Sequence, residues 1–558
     1  MICEEKHTMT DKPINMTRPL DLTHEKHNVG PQRIQRPIYA DLLPTCNNAC
    51  PAGENIQAWL THAQAGRFKE AWQALTHDNP MPGIHGRVCY HPCESACNRG
   101  KLDSSVSIHA VERFLGDLAL QENWQFTITA PPTGKRVLVV GAGPSGLSAA
   151  YHLARMGHSV EIHEAGPMAG GMMHFGIPSY RLPRDVLDAE IKRIETMGVK
   201  IVLNHRVDDL LAEKQAGNFD AMFIAVGAHI SKRTEIPSRD AGKMLDAIGF
   251  LKDVETGNAP KLGRRVAIYG GGNTAMDAAR VAKRLGYEPL IIYRRDRAHM
   301  PAHDFEATEA LEEDVKIHWL RTIKSIDETT FTVEIMEVDA KGRPQPTGQF
   351  ETLEADALIM ALGQDVDTSF MHQVPGVEFK DDGVVTVDAN MMTGYPGLFA
   401  GGDMVPSDRT VTIGVGHGKK AARNIDAWLR GDAYIKPPKH ALATFDKLHV
   451  WYYTDAAQRP QGHLDLKGRQ SSFKEVVAGL SQKEALYEAK RCLSCGNCYE
   501  CDGCYGACPE DAIIKLGPGK RYRYDYDLCT GCAVCFEQCP CHAIELIPEP
   551  AEASEQAG

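Results

Sequence analysis

The spacing of apolar residues changes several times along the chain. Residues 1 to about 40 are polar, rich in His and Thr and without periodicity, which predicts an extended or disordered arm. From Ile56 to Leu75 the apolar positions Ile56, Trp59, Leu60 and Ala63, then Phe68, Ala71, Trp72 and Leu75, recur at helical spacing. Two short helices broken at Gly66 are predicted, with both tryptophans as core packing. At Lys135 a continuous apolar run (Val137 to Val140) is followed by a glycine turn, a helical pattern and a second strand. The same series begins again at Arg264, and FDAMFIAVGA (219–228) and ADALIMALG (355–363) read as further buried strands. After residue 440 the pattern dissolves into polar residues with Pro and Gln, which predicts a linker to about 490 ending in the helix-like SQKEALYEAKRC.

Composition narrows the class. A chain of 558 residues with 43% hydrophobic and 24% charged residues is that of an ordinary globular protein of several domains. A net charge of −12 argues against nucleic acid or an acidic membrane surface as partner. No apolar run is long enough for a membrane span, and MICEEKHTMTDKP lacks the apolar core of a secretory signal, so a cytoplasmic location is expected.

Eleven of the seventeen cysteines fall in the last seventy residues. Cys498, Cys501, Cys504 and Cys508 form one C-x2-C-x2-C-x3-C-P run, and Cys529, Cys532, Cys535 and Cys539 form a second. This is the spacing in which three cysteines wrap one [4Fe–4S] cubane and the fourth reaches across to the other. Cys498, Cys501, Cys504 and Cys539 are expected on one cluster, and Cys529, Cys532, Cys535 and Cys508 on its twin. Structural zinc is the weaker reading, since zinc sites do not show this duplication. Near the N-terminus Cys46, Cys50, Cys89, Cys93 and Cys97 flank the two helices and suggest a helical domain around at least one buried cluster.

Gly141-x-Gly143-x-x-Gly146, between strand and helix, is a dinucleotide turn, and Glu164 ends the next strand, where a carboxylate accepts ribose hydroxyls. The second turn is Gly270-x-Gly272-x-x-Ala275, and Tyr293, Arg294 and Arg295 stand where an acid would repel a 2′-phosphate. That favours NADPH, with NADH left open; Arg297 is a further candidate for the phosphate. Late in the chain, Gly402-Asp403 follows a strand and precedes a helix aimed at the flavin, so the first turn is assigned to FAD and the inserted second one to NADPH. The flavin set is Gly141, Gly143, Pro144, Ser145, Gly146, Glu164, Gly171, Gly402, Asp403 and Thr412. The nicotinamide set is Gly270, Gly272, Asn273, Thr274, Arg294 and Arg295. No catalytic acid–base pair or nucleophile is visible; His174, His299, His303 and His417 read as structural hydrogen-bonders.

From Cys46 to about residue 430 the chain resembles the small, beta subunit of bacterial glutamate synthase and its relatives. The resemblance rests on CPAGENIQAWL, GRVCYHPCESACNRG, VERF, AGGMMHFGIPSYRLPR, YGGGNTAMDAAR, YRR with HMPA, and FAGGDMV. It implies that Cys50, Cys89 and Cys93 hold the cluster nearest the flavin, with Glu112 of VERF as fourth ligand. The family's RCLSCG run is missing from the N-terminus and stands instead at Arg491 to Gly496. Two arrangements follow. In one, Cys492 and Cys495 fold back to complete a second N-terminal cubane with Cys46 and Cys97, giving four clusters. In the other, Cys46 or Cys97 completes the first site and Cys492 and Cys495 are unused, giving three. Cys3 and Cys541 have no role in either.

The expected fold class is multidomain α+β and α/β. A helical iron–sulfur domain (41–130) precedes two nested Rossmann-like domains, for FAD (131–255 and 366–440) and NAD(P)H (256–365). A linker (441–490) and a bacterial-ferredoxin-like domain (491–558) complete the chain. The expected activity is NAD(P)H-dependent electron transfer between NADPH, FAD and [4Fe–4S] clusters, to or from a partner iron–sulfur enzyme. Candidate partners are a glutamate synthase large subunit, a 2-oxoacid:ferredoxin oxidoreductase or a sulfite-reductase-like complex; a homodimer is left open. The alternative is a docking ferredoxin-type subunit that does not itself oxidise NADPH.

Overall fold

The computed structural model describes residues 33–232, 234–239, 243–451 and 453–550. Most of the N-terminal arm lies outside the described residues. The helices Ile56–Gln64 and Phe68–Thr76 form as their periodicity requires, the first capped by the Asn55 side chain. Trp59 and Trp72 are fully buried, and Gly66 turns the chain between the helices with φ +72°. Helix Pro82–Val88 lies across helix Ile108–Gln121 at backbone contact: a Cβ on Gly116 would meet Gly83 N at 2.3 Å.

The two glycine turns each open a five-stranded parallel sheet. The first has the order Leu398–Ala400, Ala221–Ile224, Arg136–Val140, Ser159–His163 and Lys200–Val202. Its apolar runs are covered by helices on both faces and form the largest core. Leu398–Ala400 returns beside Ala221–Ile224 after the whole second nucleotide domain, so the domains are nested as expected. The second sheet runs Lys316–Trp319, Glu288–Tyr293, Arg265–Tyr269, Ala357–Met360 and Lys243–Asp246. Strand Lys243–Asp246 and helix Ala247–Glu255 belong to this second body, ahead of the boundary expected at 256. The strand is at the sheet edge and partly exposed, so it carries no apolar run to read.

Residues 441–490, expected as a linker, are a packed strap. The Arg469 guanidinium pairs with Glu312 and Glu313 of the second nucleotide domain, and Glu475 pairs with Arg87 and Arg113 of the helical domain. Val476 N donates to Tyr180 O, and helix Gln482–Lys490, closed by a Ser481–Glu484 capping box, buries Ala485 and Ala489 against Trp59 and Ile108. Its elements are too short and polar to show a period. At the other end, strand Gln35–Tyr39, within the expected arm, pairs antiparallel with Ile544–Pro548.

Helix Val411–Leu429 joins the parts. A Cβ on Gly418 would meet Ser145 O at 2.3 Å, and one on Gly416 would meet Pro51 O at 2.2 Å. Its two faces therefore touch the first nucleotide helix and the Cys50 loop at backbone distance. Lys419 Nζ adds bonds to Gly53 O (2.7 Å) and Asp78 Oδ1 (3.1 Å). A helix-interior Gly→Ala change in open space stabilises by up to about 1 kcal/mol. Gly416→Ala is expected to do the reverse, costing about 1–3 kcal/mol by overpacking. A lower thermal midpoint of the loaded protein is the predicted readout; an unchanged or raised midpoint would contradict the close packing.

Candidate functional site

The first glycine turn opens onto a cleft of about 850 Å³, which Asn273 and Thr274, just after the second turn, also line, while Gly270 and Gly272 lie outside the lining. Helices Pro144–Arg155 and Asn273–Arg284 begin at its walls, so their unpaired N–H groups face it. Gly141, Gly143, Pro144, Ser145, Glu164, Gly171, Gly402 and Asp403 line it, with Asn273 and Thr274 from the second domain. Gly146 packs behind: its Cβ would strike Gly141 O at 2.0 Å. Gly141 has φ +103° and its Cβ would strike Ala225 O at 2.4 Å, so only glycine serves there. Gly143, by contrast, faces open space, which leaves room for a pyrophosphate.

The residues present fit a flavin dinucleotide. The Ser145 hydroxyl is buried without a partner. Glu164 is held by Ala142 N (2.8 Å) and Gly166 N (2.7 Å), one bond to each oxygen, which fixes its carboxylate at the strand end. Burial pushes the Asp403 carboxyl up to about 6. His417 Nδ1 accepts from Gly402 N at 3.2 Å, and burial lowers its pKa, so it buttresses the Gly402–Asp403 turn as a neutral ring.

On the nicotinamide side Gly272 also faces open space, and a Cβ on Gly270 would meet Ala361 O at 2.2 Å. Arg294 is exposed at the strand end; Arg295 is partly buried, its Nε unpartnered. Both lie outside the cleft lining, as does Thr412. Arg297 is engaged with Asp304 (2.7 Å) and Thr308 (2.8 Å). His299 bonds Asp296 at 2.7 Å, His303 stacks on Tyr90 with centroids 3.7 Å apart, and His174 is buried. Tyr90 escaped the sequence reading. Its hydroxyl lies 2.5 Å from Asn273 Nδ2, so the loop of Cys89 and Cys93 reaches the second nucleotide turn. Arg181, bonded to Asp277 (2.8 Å) and Glu306 (2.7 Å), backs it. A tyrosine between two site cysteines carries no sequence signal of that contact.

The cysteines gather into four groups. Burial raises the pKa values of Cys50, Cys89 and Cys93, with Cys89 pushed up to about 12; the Glu112 charge adds to the shift of Cys50 and Cys89, and the Cys89 and Cys50 thiols to that of Cys93. The Thr412 hydroxyl bonds Cys89 and opposes that shift, tying the helix at the flavin cleft to this group. Burial and the neighbouring Glu54 charge hold the Glu112 carboxyl well above the usual range. Asn79 Nδ2 donates to Glu112 (2.8 Å) and Glu54 (3.0 Å), and His85 Nδ1 lies 3.8 and 3.9 Å from the same two carboxylates. Glu54 and His85 were not anticipated; Glu54 lies in CPAGENIQAWL and His85 just ahead of GRVCYHPCESACNRG, and neither has a spacing of its own.

The second group is Cys46, Cys97, Cys492 and Cys495, which line a single small cavity with Leu60, Val106 and Ile108. Burial and the facing thiols push Cys492 to about 12, and burial pushes Cys495 to about 11. Asn98 Nδ2 lies 3.4 Å from Cys495 Sγ. The buried Arg491 brings the strap in, donating to Ser104 O (2.6 Å), Ser105 O (2.8 Å), Ala456 O (2.8 Å) and Glu488 (2.8 Å).

The last two groups follow the crossed pattern. Cys498, Cys501, Cys504 and Cys539 act on one another electrostatically, and Cys508 lines a cavity with Cys529, Cys532 and Cys535. Cys541 Sγ sits 3.8 Å from Cys539 Sγ. Four thiols around one small buried cavity suit a cubane, which takes them as thiolates and supplies the positive charge that burial otherwise denies them.

Comparison with known proteins agrees with this layout. Residues 135–421 match the pyridine nucleotide-disulphide oxidoreductase family, residues 35–124 the dihydropyrimidine dehydrogenase domain II 4Fe-4S cluster family, and residues 522–545 the 4Fe-4S binding domain family. The NADP(+)-dependent formate dehydrogenase subunit beta of Moorella thermoacetica is 36% identical over 497 residues, 81% of this chain and 70% of that one. The NADPH-Fe(3+) oxidoreductase subunit beta of Geobacter sulfurreducens is 34% identical over 507 residues, 81% of this chain and 75% of that one. The glutamate synthase [NADPH] small chain of Escherichia coli K12 is 32% identical over 423 residues, 69% of this chain and 89% of that one. Among the described residues no helix is long and apolar enough to cross a membrane. The chain belongs to the pyridine nucleotide-disulphide oxidoreductase family, as a glutamate-synthase-small-chain-like oxidoreductase that moves electrons among NADPH, FAD and [4Fe–4S] clusters.

Proposed function

We propose that the chain is the NADPH-linked subunit of a larger redox enzyme and holds four [4Fe–4S] clusters in series between its flavin and a partner subunit. The observation that carries this reading is the cavity shared by Cys46, Cys97, Cys492 and Cys495, cysteines from opposite ends of the sequence. FAD, when bound, supplies the conversion of a hydride pair from NADPH into the single electrons that clusters carry. Cys50, Cys89, Cys93 and Glu112 are proposed to hold the cluster beside the flavin, and the Cys46 quartet the next. Cys498, Cys501, Cys504 and Cys539 hold the third, and Cys508, Cys529, Cys532 and Cys535 the fourth.

The protein's own work is positioning. Gly141, Gly143, Pro144 and Ser145 seat the flavin pyrophosphate, with Gly146 letting the helix pack against the turn; Glu164 seats the ribose, and Gly171, Gly402 and Asp403 the remainder. Thr412 steadies Cys89. Gly270, Gly272, Asn273 and Thr274 seat the second dinucleotide, with Arg294 and Arg295 on its 2′-phosphate. The relatives named above are themselves subunits or small chains, which supports an enzyme partner. Cys501 and Cys532 are exposed, so the ferredoxin domain offers its clusters at the surface. A formate-oxidising subunit joins the glutamate synthase large subunit, the 2-oxoacid:ferredoxin oxidoreductase and the sulfite-reductase-like complex as candidate partner.

Iron analysis of anaerobically purified protein tests the cluster count. Four cubanes give about 16 irons per chain. Cys492→Ser with Cys495→Ser is expected to remove about four irons and leave the flavin in place. About 12 irons in the unaltered chain would overturn the four-cluster reading. The nucleotide assignment has its own test. Arg294→Ala with Arg295→Ala is expected to raise the KM for NADPH about tenfold to a hundredfold, the worth of charged hydrogen bonds. Rates with NADH should stay unchanged; equal losses with both nucleotides would refute a role on the 2′-phosphate.

A further inference from the structure

Behind the flavin cleft, His163, His205 and Glu213 come together from three separate elements. Their ligand atoms all lie within 4.8 Å of one another. His163 ends strand Ser159–His163, Glu213 lies on helix Leu210–Ala216, and His205 stands in the loop between that helix and strand Lys200–Val202. Both histidines line the cleft next to Glu164.

The charges around His163 do not balance with a neutral ring. Its side chain is 5% exposed, and Nε2 lies 3.0 Å from Glu161 Oε1. A carboxylate only accepts, so the single ring N–H belongs on Nε2 and Nδ1 is left with a bare lone pair. Nδ1 then faces Glu213 Oε1 at 3.1 Å and has no hydrogen-bond partner. With a neutral ring, two electron-rich atoms would therefore face each other with no proton between them. His205 Nε2 approaches the same Glu213 oxygen, also at 3.1 Å. Ligand atoms on one tetrahedral zinc sit about 3.3 Å apart, given metal bonds of about 2.0 Å.

The surroundings are those of a built site. Glu161 is itself held by Lys200 (2.9 Å) and Arg136 (3.6 Å), so its charge is compensated and it serves to orient the ring. A carboxylate on the far nitrogen is the usual support of a metal-binding histidine. The scaffold is tied by backbone bonds, His205 N to Glu164 O (2.9 Å), Glu164 N to Val202 O (2.9 Å) and Gly141 N to His163 O (2.8 Å). Asp209 caps the helix that carries Glu213.

We propose that His163 Nδ1, His205 Nε2 and the Glu213 carboxylate form a zinc site, distinct from the iron–sulfur ligands, that clamps the loop carrying Glu164. His205, 40% exposed, is the most open of the three side chains, so an ion can enter from its side. The ion neutralises the facing lone pairs and ties three elements to the ribose-binding carboxylate, so its role is retention of the flavin.

The test uses the holoprotein, with FAD and clusters loaded, incubated anaerobically with a small excess of Zn2+ and then desalted. Metal analysis is expected to show about one zinc per chain with the iron count unchanged. Competition against a zinc chelator should give an affinity that His205→Asn and Glu213→Gln each weaken by at least about tenfold. Zn2+ should raise the thermal midpoint and slow flavin loss in the unaltered protein, and do neither in the variants. Iron contents of the variants equal to the parent's establish that they are folded, as the partly exposed positions of both residues lead one to expect. Substoichiometric zinc, zinc gained only as iron is lost, or equal affinity in parent and variants would each overturn the site.

Discussion

Four thiols enclosed in one apolar cavity are the constraint on which the architecture turns. Cys46, Cys97, Cys492 and Cys495 are drawn from segments almost the length of the chain apart, and each has its pKa raised by burial. Left as thiols they contribute little packing; as thiolates without a metal they repel one another in a medium that does not screen them. A cluster resolves both difficulties. With the ligation proposed above, the cavity becomes the bolt that fastens the end of the strap to the helical domain, and the ferredoxin domain hangs from it. Gly496 marks the joint: its N–H donates to Cys541 O at 2.6 Å and its carbonyl accepts from Leu42 N at 3.0 Å.

The other end of the relay depends on steric closeness. Helix Val411–Leu429 begins at the nucleotide cleft and runs past the Cys50 loop with glycine at both contact faces. Thr412 supplies the polar counterpart by bonding Cys89. Flavin site and first cysteine group are thus walls of a single helix, and no flexible element intervenes. Tyr90 extends the same loop to Asn273, so the first cysteine group and the second glycine turn are joined by one side-chain contact.

Much of this was legible in the sequence where burial is two-sided. The runs at 137–140, 221–224 and 266–269 are buried throughout because both faces of each sheet are covered, and such runs announce themselves. Spacing likewise announced the ferredoxin groups, since crossed ligation demands it. What stayed hidden was held by polar contacts between distant residues. The strap read as a linker because Arg469 is buried and Glu475 part-buried as ion-paired groups, which no hydropathy pattern distinguishes from solvated ones. Strand Lys243–Asp246 was missed because an edge strand needs only one covered face. Tyr90, Glu54 and His85 act through tertiary neighbours that no local pattern records.

Interrupting the middle of the relay tests the central claim most directly. In the Cys46→Ser, Cys492→Ser double variant, mixed anaerobically with NADPH and freeze-quenched for electron paramagnetic resonance, the flavin and the cluster nearest it should reduce at the parent's rate. The two clusters of the ferredoxin domain should stay oxidised over times in which the parent reduces them. Ferredoxin clusters that fill as fast in the variant as in the parent would show that electrons do not pass through the shared cavity, and the serial relay would be wrong.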